Sequence, residues 1–283
     1  MPNMIEVLFH TIFSLLLLFF IPALTIQLLT LINRKSKKLL SFNFGTASQI
    51  YLAGIGIVIH ECSHLIIAIL FGHQITKFKL LVLPHELKTP DPANPDHQAL
   101  GYVFHSWNER SLYQTIGNAF IGIAPVIGCT ASLVVLTKYL NPLLFNWLTG
   151  IGKKLSTTYT PSWELISKTL TSFPEIQYSW LNLLCFVLWM LISINITVGG
   201  YDLSSADIRG SIRGICLCYL LMGLILFILT YCGFSMVINY WLIKLLIWFV
   251  LIMLLTICWS LIANLLIRLT IYLIQKFGDV ENH

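Results

Sequence analysis

The sequence predicts an all-α polytopic membrane protein, with about six transmembrane helices and a short membrane-associated β-hairpin. Three observations carry that expectation. Of the 283 residues, 57% are hydrophobic and only 10% are charged, against about 25% charged in an ordinary globular chain. Mean hydropathy is +0.82. The charges that do occur lie between long apolar stretches, and one polar interval shows strand-like alternation. The chain has no internal repeat and reads as one integral membrane domain over 1–283, embedded in a lipid bilayer.

The elements follow in order. Thr11 to Ile32 is free of charge, and at about 1.5 Å per residue it is long enough to cross about 30 Å of hydrocarbon. Basic residues follow this stretch and do not precede it, so it reads as a retained span, not a signal peptide. Gly45 to Phe71 is the second span. The polar interval 73–111 opens with the alternating run Ile75 to Leu83 and closes with Gly101 to Ser106. These are two candidate strands, joined by a segment bearing Pro84, Pro90, Pro92 and Pro95. Leu112 to Thr137 is the third span. Tyr139 to Ser172 is mixed and reads as interfacial. Ile176 to Tyr201 is the fourth span. Gly214 to Ile267 divides into a fifth and a sixth near Cys232-Gly-Phe-Ser235.

Charge and cysteine usage exclude several classes. Arg34, Lys35, Lys37 and Lys38 directly follow an apolar stretch, which marks a juxtamembrane anchor; no nucleic-acid partner is indicated. The seven cysteines lie in or beside apolar segments without a CxxC pair, so they read as small buried hydrophobes. Lys and Arg divide almost evenly between the two sides of the membrane, so charge does not set the orientation.

The second span holds the chemistry. His60-Glu61-Cys62-Ser63-His64 has the H-E-x-x-H pattern of zinc metallopeptidases. Residues four apart share a helix face, so two imidazoles can reach one Zn2+ while Glu61 stands ready as general base. Ionisable groups inside a span are costly and usually functional. Three of them at ligand spacing, in a stretch otherwise free of charge, are poorly explained as packing. A catalytic zinc takes three protein ligands and keeps one position open. The third is expected after the fourth span, in Asn195-Ile-Thr-Val-Gly-Gly-Tyr-Asp202-Leu-Ser-Ser-Ala-Asp207-Ile-Arg-Gly210, which emerges on the side of the membrane nearest His64. Asp202 and Asp207 are the candidate ligands.

These residues resemble the site-2 protease family of intramembrane zinc peptidases, over a core of roughly 48–214 with flanking helices at 5–32 and 214–275. The resemblance implies a hydrolase that cuts a peptide bond of a membrane-anchored protein or peptide. It matches Asp207-Ile-Arg-Gly210 to the family's Asp-Gly ligand stretch, which makes Asp207 the expected third ligand and Asp202 the alternative, and Asn195 to its upstream asparagine. It also matches Gly117-Asn118 through Pro125 to the small-residue segment near the family's site, where Asn118 is expected to meet the substrate carbonyl or developing oxyanion. The strands after the motif are expected to receive an extended substrate by strand addition. The chain departs from the family pattern in lacking a proline after Asn195 and a Leu-Asp-Gly triplet. His85, His97 and His105 read as surface or strand residues.

Two rival functions compete with this one. A prenyl-processing type of membrane zinc peptidase would take its third ligand from a later glutamate, Glu164 or Glu175. A transporter or binding protein with a degenerate site would have little reason to retain all of His60, Glu61 and His64. Size and simplicity suggest the cell membrane of a bacterium.

Overall fold

The computed structural model describes residues 3–87, 99–157, 163–172 and 179–278. Its elements are α1 (Met4–Phe44), α2 (Ala47–Leu70), β1 (Gln74–Lys79), β2 (Tyr102–Ser106), α3 (Leu112–Leu140), α4 (Pro142–Thr157), α5 (Trp163–Thr171), α6 (Trp180–Gly200), α7 (Ser205–Tyr231) and α8 (Ser235–Gly278). Among the described residues, α1, α2, α3, α6, α7 and α8 are long and apolar enough to cross a membrane. The protein is an all-α, multi-pass membrane protein with one small antiparallel sheet.

Several boundaries differ from the sequence expectation. Helix α1 runs through Arg34–Lys38 to Phe44, well past Ile32. Arg and Lys are good helix formers, and no breaker intervenes before Gly45. Strand β1 stops at Lys79 instead of Leu83, and Pro84 then opens a 3-10 turn that ends at Glu86. The interval 139–172 holds two separate helices, α4 and α5. Pro90, Pro92, Pro95 and His97 lie outside the described residues.

Two helix ends show how local chemistry sets the turns. After α2, the Gly72 N–H donates to the Ile69 carbonyl and the His73 N–H to the Ala68 carbonyl, at 3.0 and 2.9 Å. This paired closure needs a left-handed residue, and Gly72 has φ +70°. It stops the helix and turns the chain straight into β1. The end of α7 uses the same device: Gly233 has φ +89°, with Gly233 and Phe234 donating to the Thr230 and Leu229 carbonyls. That closure is the physical basis of the break between the fifth and sixth spans.

The chain divides into two compact units. One comprises Met1–Thr25, Val134–Met190 and Cys216–Leu255. In it the Trp189 indole N–H donates to Thr137 Oγ1 at 3.0 Å, and Gly152 lies flat against the Trp248 ring. The other comprises Ile26–Leu133, Leu191–Ile215 and Thr256–His283. Its core cluster joins Leu40, Ala53, Ile57, Val198 and Ala263.

The second unit is built on close backbone approach. A Cβ at Gly56 of α2 would fall 2.6 Å from the Ile196 carbonyl oxygen and 2.8 Å from the Gly199 Cα of α6. Small residues let membrane helices touch in this way. Asn195 locks the same crossing. Its Oδ1 accepts from the Ile55 and Gly56 N–H groups at 2.8 and 3.3 Å, and its amide donates to the Tyr51 carbonyl at 3.3 Å. Polar pairs also join α1 to α8, Asn33 with Ser260 and Asn264 with Ser36.

The sheet pairs β1 with β2 from Gln74↔Ser106 to Lys79↔Tyr102. Register shifts between Ile75 and Lys77. The extra residue, Thr76, turns its hydroxyl to the Phe104 carbonyl at 3.1 Å.

Candidate metal centre

Helical spacing places His60 and His64 on one face of α2, and both are buried together with Glu61. Each imidazole is oriented by a carbonyl from a neighbouring helix. His60 Nδ1 lies 2.9 Å from the Gly200 oxygen at the end of α6, and His64 Nδ1 lies 2.8 Å from the Ile121 oxygen of α3. A carbonyl oxygen can only accept, so both Nδ1 atoms carry protons. In the neutral rings both Nε2 atoms are then lone pairs, and they face each other at 3.2 Å.

Asp207 completes the group. Its Oδ1 lies 3.4 Å from His64 Nε2, and its Oδ2 lies 4.0 Å from His60 Nε2. The position follows from the start of α7. The Ser204 hydroxyl accepts from the Asp207 N–H at 3.1 Å, and Asp207 Oδ2 accepts from the Ser204 N–H at 2.7 Å. This is a capping box with aspartate in the third helical position, and it fixes the carboxylate where the two imidazoles converge.

These donors fit a zinc ion. Bonds of about 2.0–2.1 Å put tetrahedral donors about 3.3 Å apart; two of the observed separations, 3.2 and 3.4 Å, are close to this, and the third, His60 to Asp207, is wider at 4.0 Å. Two imidazoles and one carboxylate are a borderline donor set and leave one position open. The carbonyls behind the rings are the partners that metal-bound histidines ordinarily have. Among the described residues this is the one group of three or more His, Cys, Asp or Glu side chains whose ligand atoms lie within 4.8 Å of one another.

Asp202 is not part of the group. It pairs with two cations of α1, Arg34 Nε at 3.1 Å and Lys37 Nζ at 3.4 Å, and Arg34 also donates to the Leu203 carbonyl at 2.8 Å. The Asp202 carboxylate therefore fastens the loop before α7, and although it lines the same cavity it is bound to these cations and not to the histidine group. Glu164 lies in α5 within the other compact unit, and Glu175 lies outside the described residues.

A cavity of about 800 Å³ opens over the group. His60, Glu61, His64, Asp207 and Asn118 all line it. Asn118 is buried, on α3. The chain just before β2 crosses the cavity so closely that a Cβ at Gly101 would fall 2.6 Å from Glu61 Cγ. Only a glycine gives the carboxyl that room. Tyr102, Val103, Phe104 and His105 of β2 form another wall.

The sequence reading missed one cluster. His105 lies in strand β2 as expected, and its Nδ1 lies 3.0 Å from Nδ1 of His73, whose Nε2 lies 3.0 Å from the Gln114 carbonyl oxygen. The strand alternation and the glycine at 72 were the available signals, but the pairing of residues 32 positions apart depends on register. His85 is exposed in the 3-10 turn. No family model, curated protein or solved structure matches the chain.

Proposed function

We propose that this protein is a zinc-dependent intramembrane endopeptidase, a divergent relative of the site-2 proteases. It would hydrolyse a peptide bond of a membrane-anchored protein or peptide. One observation carries the reading: two imidazole lone pairs and a carboxylate converge beside a buried glutamate in an otherwise apolar span.

His60, His64 and Asp207 would hold the zinc, which when bound supplies a Lewis acid that acidifies a water and polarises a carbonyl. The other roles belong to the chain. Glu61 takes a proton from the attacking water as the oxygen–carbon bond forms. The same carboxyl returns the proton to the amide nitrogen as the carbon–nitrogen bond breaks, leaving an acid and an amine. The Asn118 amide donates to the carbonyl oxygen as it gains negative charge. In a two-stranded sheet each strand keeps one free edge, and β2 lines the cavity. A substrate segment added there is extended, so its peptide bond is no longer hidden in a helix.

The test is co-expression of the chain with a panel of membrane-anchored polypeptides, with the zinc content of the purified protein measured in parallel. Wild type is expected to cleave and to hold zinc, and Glu61→Gln to hold zinc without cleaving. Cleavage undiminished in Glu61→Gln would rule out the proposed base.

A further inference from the structure

The pair His73 and His105 is the second meeting of imidazoles in this unit, and its hydrogen bonds determine where its protons lie. The Gln114 carbonyl can only accept, so His73 Nε2 carries a proton. Burial holds His73 below the ordinary histidine value, and burial with the neighbouring His73 holds His105 down to about 4. Both rings are therefore neutral near pH 7. Neutral His73 then has a lone pair on Nδ1, and the 3.0 Å contact requires the proton of His105 to sit on Nδ1. The remaining nitrogen of His105, Nε2, is a lone pair.

The surroundings hold this arrangement. Trp107 stacks on the His73 ring with centroids 6.0 Å apart and lies 5.8 Å from the His105 ring. Gln114, in the first turn of α3, donates to the Gly72 carbonyl at 2.8 Å and accepts from the Asn108 N–H at 2.6 Å. The turn before β1, the loop after β2 and α3 are thus tied together around the pair. His105 itself lines the cavity that contains His60, Glu61 and His64.

We infer that His105 is a substrate-binding residue, whose Nε2 accepts a hydrogen bond from a backbone N–H of the peptide lying in the cavity, and that His73 is the positioning residue that fixes the tautomer. The inference rests on the peptidase reading. It adds to that reading a side-chain acceptor outside the metal centre, alongside the Asn118 donor. An extended peptide shows alternating N–H and C=O groups and needs both. A hydroxyl or an ammonium would also be bound by a lone pair, but an N-methylated amide would not.

The experiment uses the zinc-loaded full-length protein in detergent and two probes: a peptidyl hydroxamate with a free amide N–H, and the same compound N-methylated at that amide. Wild type is expected to prefer the N–H probe. His105→Phe should reduce that preference about three- to tenfold, the range of one hydrogen bond. His105→Gln, whose amide oxygen can accept near the Nε2 position, should retain it. His73→Phe should lose it and His73→Asn should recover it, because the Asn oxygen can accept from His105 Nδ1. Each variant should hold as much zinc as wild type. Equal weakening of both probes, no weakening of either, or zinc lost from His105→Phe would overturn the inference while leaving the metal centre standing. Failure of wild type to bind either hydroxamate would instead overturn the peptidase reading beneath it.

Discussion

Two histidine pairs in the same compact unit face each other at similar distances, 3.2 Å for His60 with His64 and 3.0 Å for His73 with His105. They differ in how many rings are pinned from behind. In the first pair a carbonyl takes the far proton of each ring, so two lone pairs meet beside the Asp207 carboxylate in a group that could hold a metal ion. In the second pair a carbonyl takes the far proton of His73 alone, so His105 can put its own proton between the rings. On the proposed reading, one pair holds a metal and the other makes a directed hydrogen bond. Distance alone does not separate these roles; the partners of the far nitrogens do.

The comparison can be broken first at the base beside the metal pair. Glu61→Gln should lower cleavage by about 10²- to 10⁴-fold, with zinc content unchanged by metal analysis. Gly101→Ala puts a methyl group where Glu61 now sits. It should lower cleavage by about 10- to 100-fold, the usual effect of displacing a reacting group by about 1 Å, and also leave zinc bound. Gly56→Val forces α2 from α6 behind the metal pair and should cost about 1–3 kcal/mol, read as a lower thermal midpoint in detergent.

The smallest effect belongs to the second pair. A histidine whose folded value is lowered takes up its proton first in the unfolded chain. Its contribution is complete above about 6.5 and is lost as pH falls toward 4. Wild type should therefore lose more stability than His105→Gln between pH 7 and pH 4.5. Screening at the partly exposed ring limits the difference to about 1 kcal/mol. Equal losses in the two proteins would show that His105 is not neutral in the folded state.

Much of the fold was legible because it rests on local signals. Uncharged stretches of sufficient length, Gly72 after α2 and Gly233 after α7 mark spans and stops that need no tertiary knowledge. The histidine spacing was legible for the same reason, as a property of one helix. The choice between Asp202 and Asp207 was harder. Ser204-x-x-Asp207 is a capping-box pattern visible in the sequence, but the ion pairs that occupy Asp202 come from α1, 165 or more residues away. The His73–His105 pair depended on strand register, including the irregularity at Thr76. The carbonyls of Gly200 and Ile121 depended on helix packing. Long-range partners of this kind leave no periodic trace in one sequence.

On the proposed reading, His60, His64 and Asp207 hold a metal ion while His73, His105 and Asp202 do not. Zinc bound per chain, measured on the purified wild type and on six single variants, tests it most directly. One zinc is expected in wild type, His73→Ala, His105→Ala and Asp202→Ala, and its loss in His60→Ala, His64→Ala and Asp207→Ala. Zinc retained in Asp207→Ala, or absent from wild type after loading, would contradict it.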